Sequence, residues 1–328
     1  MSTIKLKNRK EAHMKKGTEI ACVGLTILDI LGLPIEKIPE PGKTSLIQKI
    51  RLTPAGTAAG PAIVAAKLGI PTSLIGATGK DDMGDLLISM LQKQGVDTSH
   101  MMRTADLPTS ATILAVHENG DRPNFHAPGA SLILEIDEAA REFIVNSRFV
   151  HWGGVGTLLK LDSGPGPEIL KEARANGAVI SCDFIAPMEQ TLNHVKAVLP
   201  FVDYFMPSLE EAMEISGTKT PEDTAKFFLD CGAGTCILKW GAKGSLLTLG
   251  DKLVRIPAYK IDVVDTTGCG DSYCAGFLAA LSKGWDVEKA CRFGTATSAL
   301  VATGLGTDAG VVNFEETEKA MNSLPVLE

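Results

Sequence analysis

Aromatic side chains are scarce: three Trp, three Tyr and eleven Phe amount to 5% of the 328 residues. Single-stranded nucleic acid is held by stacking on aromatic faces, so that class of binder is disfavoured. Positive charge is also in short supply, with 32 Lys and Arg against 39 Asp and Glu and a net charge of −7. This excludes a general nucleic-acid binder. The seven cysteines form no disulfide framework, because neither Cys231/Cys236 nor Cys269/Cys274 has C-x-x-C spacing and no paired histidines accompany them. Reduced thiols in a cytoplasmic chain follow, without a structural zinc. Residues 20–34 are mostly apolar and follow Lys15-Lys16, but Gly24, Asp29 and Gly32 interrupt them. The run also falls short of the ~20 residues of a bilayer span. It reads as a buried strand, and no membrane partner is expected. Two familiar signatures are missing as well: no G-x-S-x-G elbow and no H-E-x-x-H pair occurs. Gly42-Lys43-Thr44 imitates the end of a P-loop, yet the required first glycine falls on Lys37.

What is present is an ordinary globular balance, 45% apolar and 22% charged, with 33 glycines. Disorder is excluded. Residues 1–16 hold six Lys/Arg and one Glu, leaving 26 basic against 38 acidic residues in the rest. Residues 1–17 therefore read as a basic, disordered leader and 18–328 as one folded unit. Short, nearly all-apolar runs at 20–25, 72–75, 149–152, 179–182, 204–206 and 235–238 suit strands covered on both faces. Helical patterns lie between them at 57–68, 82–93, 167–176, 188–199, 208–215 and 221–230. Several are stopped by Gly69, Gly95 and Gly177. This alternation predicts an α/β fold with a doubly wound, mostly parallel sheet in three layers. Residues 33–52, with Pro34, Pro39 and Pro41, and residues 111–126, with a turn at Asn119-Gly120, break the rhythm. They predict a small antiparallel lid, and an open lid edge invites pairing into a homodimer. Arg122 and His126 fall on the second ribbon, where substrate contact and a solvated role are equally open.

The sharpest motif is Asp265-Thr266-Thr267-Gly268-Cys269-Gly270-Asp271. Tyr273, Phe277 and Leu281 then recur at helical spacing and mark a buried stripe. Gly268 and Gly270 leave backbone N–H groups uncovered where that helix begins, and such an end binds anions. A carboxylate inside it repels phosphate, so Asp271 is better suited to take a proton from an attacking hydroxyl. The plainer reading is that Asp271 complements the helix dipole. Asp29 interrupts an apolar strand, where a buried charge needs partners.

The motif followed by a small-residue helix resembles the C-terminal signature of the ribokinase-like (PfkB) carbohydrate kinases. The resemblance extends over about residues 18–325. Ala55-Gly56-Thr57-Ala58-Ala59-Gly60, Gly76 and Gly79-Lys80-Asp81-Asp82-Met83-Gly84 are similar to the family's N-terminal signature. Leu238-Lys239-Trp240-Gly241-Ala242-Lys243-Gly244 is similar to its nucleotide-side turn. The resemblance implies an ATP-dependent sugar kinase with Mg²⁺. Asp271 is its base, and Gly268, Cys269 and Gly270 its anion hole. Asp29, Gly56, Thr57, Gly60 and Arg122 lie on the sugar side. Ser208, Lys239, Gly241, Gly244 and Thr267 lie on the nucleotide side. Glu211 holds Mg²⁺ through water, and Asp265 with Thr267 is the candidate for a monovalent cation such as K⁺. The chain departs from the family at Gly60, often Asn, at Ser208 of the N-x-x-E motif, at Lys239, commonly Thr, and after Asp183, where Asn and Arg are missing. A small sugar phosphorylated on a primary hydroxyl is the expected substrate. A nucleoside kinase, a phosphosugar kinase using Lys43, Arg51 and Arg122, and a non-catalytic sugar sensor remain as alternatives.

Overall fold

A computed structural model describes residues 19–185, 187–250 and 252–327. The basic leader 1–17 lies outside the described residues. In chain order the elements begin with β1 (Ile20–Gly24), β2 (Ile27–Leu33), β3 (Lys49–Ala55), α1 (Ala59–Lys67), β4 (Thr72–Ile75), β5 (Ala77–Gly79) and α2 (Asp82–Lys93). Then come β6 (Met102–Thr104), β7 (Ala111–Ala115), β8 (Asn124–Ala127), α3 (Glu138–Val145), β9 (Phe149–Val155), α4 (Leu159–Asp162) and α5 (Pro165–Ala175). The C-terminal half adds β10 (Val179–Phe184), α6 (Thr191–Val198), β11 (Tyr204–Phe205), α7 (Leu209–Ser216), α8 (Pro221–Asp230) and β12 (Thr235–Lys239). It closes with β13 (Ser245–Leu249), β14 (Lys252–Ile256), α9 (Cys269–Ser282), α10 (Val287–Ala302) and α11 (Phe314–Ser323).

Eight strands form the central sheet in the order β14-β13-β12-β11-β10-β9-β1-β4. The strands from β12 to β4 run parallel, and β13 and β14 return antiparallel. Strand alternation sends successive side chains to opposite faces. Ile20 and Cys22 of β1 enter a core with α1, α2, α9, α10 and α11, while Ala21 and Val23 enter a second core with α3, α5, α6, α7 and α8. Three layers result, as the alternation of patterns predicts. The turn between β12 and β13 at Gly241–Lys243 also falls where expected. The small helices α3 and α4 and the pair β5–β6 were not foreseen. Helix α6 starts at Thr191 rather than 188.

The lid is a separate four-stranded sheet in the order β3-β2-β7-β8. Its boundaries correct the sequence expectation. The first lid strand is β2, starting at Ile27, and residues 34–48 contain no strand. Pro34, Pro39 and Pro41 carry no N–H for a ladder. Asp29 accordingly belongs to the lid and not to the end of the first central strand. Across the lid, Thr53, Asp29, Thr112 and His126 stand opposite one another in one row, and Leu52, Ile30, Ile113 and Phe125 in the next. Adjacent rows face opposite ways. The first row carries the buried Asp29, Thr53 and Thr112, whereas Ile113 and Phe125 of the second are 53% and 61% exposed. The row through Asp29 is polar, while further along the same inner face Leu31 and Leu114 pack with Val116 and Leu305; Ile113 and Phe125 make the outer face apolar.

Candidate active site

The carboxyl ends of β1, β10 and β12 and the first turn of α9 converge beneath the lid, the place where parallel sheets present ligands. Asp265 is fully buried and braces the entry to α9. One oxygen accepts from Thr267 N (2.9 Å) and Thr267 Oγ1 (2.7 Å), and the other from Gly306 N (2.8 Å). Gly268 caps the helix at φ +74°, and a Cβ there would stand 2.5–2.8 Å from Thr307. Only glycine fits this turn. Cys269 N turns back to Thr266 O at 3.3 Å, and the ladder of α9 opens with Ser272 N on Gly268 O at 2.8 Å. The Gly270 and Asp271 amides precede that ladder at an open helix N-terminus. The expected anion hole is thereby narrowed, because the Cys269 amide is already directed to Thr266. Burial pushes the Cys269 thiol up to about 11, so it is no thiolate nucleophile near neutral pH.

Asp271 is half-buried in the first turn. Burial raises its carboxyl to about 7; Lys239 and Arg122 oppose the rise, while Asp183 and Asp29 add to it. Gly60, in the first turn of α1, touches it. A Cβ on Gly60 would lie 2.8 Å from Asp271 Oδ2, 2.9 Å from its Cβ and 3.0 Å from its Cγ. Gly60 therefore offers room for Asp271 rather than a sugar contact. Rotating Asp271 leaves the Cβ-to-Cβ clash in place, so Gly60→Ala must displace the start of α9. A ~1 Å displacement costs about 10²-fold in rate. We expect that loss in kcat with Tm and the KM for ATP retained. Steady-state kinetics beside a thermal melt checks it, and full kcat in a folded variant would refute it.

Asp29 is 6% exposed, and burial lifts its carboxyl to about 7, against the pull of a Thr112 hydrogen bond and of Arg122. Thr112 Oγ1 also meets His126 Nδ1 at 3.0 Å. Arg122 reaches from the lid to Thr266 Oγ1 at 3.0 Å. Arg51, which the phosphosugar alternative needs for its phosphate, is already engaged within the protein. It pairs with Asp308 at 2.5 Å and with Leu305 O, and Lys67 takes the other Asp308 oxygen at 2.9 Å. Gly56 turns between β3 and α1 at φ +92°. Thr57 is buried there, and its carbonyl accepts from His151 Nε2 at 2.9 Å. Burial lowers His151 to about 4, so it is a neutral core histidine that braces the turn.

On the far side of Gly270 lies a cavity of about 280 Å³ whose walls include Lys239, Gly241, Gly244, Tyr259, Val263 and Ala299. Lys239, Gly241 and Gly244 were expected here. The 258–263 wall was not, because no periodic signal marks that irregular stretch. Ser208 is absent from the lining. It is the N-cap of α7, with its hydroxyl bonded to Glu211 Oε2 at 2.8 Å and accepting from Glu211 N at 3.2 Å. The serine half of a capping box is thus in place, and the S-x-x-E spacing is its sequence signal. Sequence reading also missed the ion pair between Lys239 Nζ and Asp183 Oδ2, at 2.5 Å. A β-bulge at Asp183 and Phe184 sits in the same place, and bulges re-aim side chains near sites.

Among the described residues no group of three His, Cys, Asp or Glu could hold a metal by itself. Glu211 is half-buried and near enough to Asp183 to help raise its carboxyl, after burial as the main cause. Hard oxygen donors of this kind suit an Mg²⁺ that keeps its water and arrives on phosphates. Asp265 offers less to a monovalent cation, since both its oxygens already accept protein donors. No helix among the described residues is long and apolar enough to cross a membrane.

Comparison with known proteins places the chain among kinases. A nucleoside kinase of Methanothermobacter thermautotrophicus is 24% identical over 93% of this chain and 96% of its own length. A ribokinase of Staphylococcus aureus is 26% identical over 92% and 99%. A candidate ribokinase II of E. coli, solved with ATP and Mg²⁺, superposes with a TM-score of 0.80 at 23% identity, covering 93% of this chain and 99% of that one. The profile of the pfkB family carbohydrate kinases matches residues 17–313, and with that span covered the chain belongs to the pfkB family of carbohydrate kinases.

Proposed function

We propose that this kinase transfers the γ-phosphoryl group of ATP to a primary hydroxyl of a small, uncharged sugar. The observation that carries the reading is the position of Asp271. It starts α9 between the lid carboxylate Asp29 and the cavity beyond Gly270. ATP fits that cavity with its phosphates toward Gly270. Mg²⁺, when bound, neutralises charge between the phosphates, and Glu211 holds its water. Asp29 accepts hydrogen bonds from two sugar hydroxyls and so orients a third toward Asp271. Asp271 takes the proton of that hydroxyl as it attacks. The Gly268 and Gly270 amides stabilise charge on the group in transit.

The inner lid face favours a free sugar over the other classes. Of the cations the phosphosugar alternative uses, Arg51 is spent on Asp308 and Lys43 lies exposed in the strandless stretch 34–48, which leaves Arg122 beside Asp29 and argues against a phosphosugar. The row of Thr53, Asp29, Thr112 and His126 offers a carboxylate, with His126 as its one ring and no Trp, Tyr or Phe face for a nucleobase. The test is ADP release in a coupled assay over free sugars, phosphosugars and nucleosides with Mg²⁺. Turnover confined to free sugars is expected. Turnover of nucleosides alone would move the substrate class, and none with any class would support a sugar sensor. Pairing of two copies lid to lid would cover the exposed Ile113 and Phe125, as apolar patches of this kind invite.

A further inference from the structure

Lys239 ends β12 beneath the start of α9. Its side chain is 13% exposed, and its ammonium lies 2.5 Å from Asp183 Oδ2 and 3.9 Å from Cys274 Sγ. A Cβ built on Gly270 would stand 3.1 Å from that nitrogen, so the ammonium lies against the same glycine whose amide opens the helix. Lys239 also lines the cavity on the nucleotide side. One buried cation, one uncovered backbone amide and the carboxylate of Asp271 thus surround a single point. Burial works against a charged lysine, but Asp183, Cys274 and Asp271 outweigh it and hold the proton on. A fixed charge in a desolvated site acts strongly on whatever charge develops beside it.

Resting on the kinase reading above, we propose that Lys239 is a further catalytic residue, touching the transferring phosphoryl group and stabilising its charge, with Asp183 as the positioning residue that aims it. The step balances without Lys239 changing protonation. The bond from the γ-phosphorus to the β,γ-bridging oxygen breaks, and ADP leaves with those electrons. The substrate oxygen bonds to the γ-phosphorus, and its proton goes to Asp271. The ammonium follows the charge as it spreads over the oxygens of the group in flight. A backbone amide hole is usually enough to hold a resting phosphate; a buried lysine here adds positive charge where the reaction concentrates the negative.

Lys239→Met removes the charge but strands Asp183, so loss of activity in that variant alone could reflect a disturbed fold. The deciding protein is Lys239→Met combined with Asp183→Asn, which removes both partners of the ion pair; because Lys239 also pulls down the Asp271 carboxyl, kcat is compared on the high-pH plateau of each protein. We expect the double variant to melt within a few degrees of wild type and to lose about 10²–10³-fold in kcat. The sugar KM should stay within about threefold. Asp183→Asn alone, which keeps the ammonium, should lose at most about tenfold. ADP binding measured with and without aluminium fluoride, a mimic of the group in transit, supplies a readout that packing does not move. The extra affinity given by aluminium fluoride should vanish in the double variant. If the double variant recovers the kcat of wild type, Lys239 merely neutralises Asp183 and the proposal is overturned. Wild-type protein without turnover on any substrate would instead fail the kinase reading itself, a separate result.

Discussion

Replacing Asp271 with Asn is expected to lower kcat by ~10²–10⁴-fold, the usual cost of removing a general base. The substitution preserves volume, and Asn also serves in a helix first turn, so the fold survives it. The pH behaviour sharpens the test. Burial holds the Asp271 carboxyl at about 7, against an ordinary 3.8. A base must be ionised to act, so kcat of the wild type at saturating sugar should rise with pH through about 7, and this limb should be missing from the variant; Asp29, also lifted to about 7, acts on the sugar KM instead. Stability has the opposite sign. The folded state binds the proton more tightly than the unfolded chain, so the stability Asp271 contributes is full below about pH 4 and is lost as pH rises through about 7. The Tm of wild type relative to Asp271→Asn should therefore fall between pH 5 and pH 8. Melting curves at both pH values and a pH–rate profile decide the matter. A folded variant with near wild-type kcat would return Asp271 to complementing the dipole of α9.

Asp29→Ala should raise the sugar KM by about 10²–10⁴-fold and leave the KM for ATP nearly unchanged. Hydrogen bonds to a charged group contribute ~1.5–3 kcal/mol each, or about ten- to a hundredfold in affinity. A carboxylate that grips two hydroxyls loses both at once. Asp29 is well placed for this differential effect. It sits on the lid strand β2 beside Thr112 and Arg122, away from the walls of the nucleotide cavity. Its removal relieves a desolvated carboxyl, so the Tm should hold at pH 8. An unfolded variant, or equal losses for sugar and ATP, would mean that Asp29 serves the lid rather than the substrate. Initial rates with each substrate varied in turn, on protein checked by circular dichroism, distinguish these outcomes.

The three-layer fold was legible because its signals are local. Strands such as 20–25 and 179–182 are nearly all apolar, and helix ends are marked by Gly69, Gly95 and Gly177. The α9 motif was legible for the same reason, since its glycines and Asp271 occupy consecutive positions and need no distant partner to be recognised. The S-x-x-E spacing of Ser208 and Glu211 likewise announces a helix cap. The lid was legible as an interruption but not in its limits. An apolar run from 20 to 33 does not say where one sheet stops and another begins, and the break after Gly24 moved Asp29 from the central sheet to the lid.

What the sequence by itself determined is therefore the α/β class, the open N-terminus of α9 and the identity of its carboxylate. These follow from periodicity, from glycine and from neighbours a few residues apart. The tertiary structure alone decided which residues meet Asp271. Gly60 lies 211 positions before it and Lys239 thirty-two before it, and no spacing rule links a first-turn glycine, a strand-end lysine and a bulged Asp183. It also decided that Arg51 faces Asp308 and that Asp265 is already satisfied by Thr267 and Gly306. Such pairings depend on how helices and strands pack at van der Waals distance. At that scale a single Cβ, or a lysine chain turned one way rather than another, settles what a site can hold.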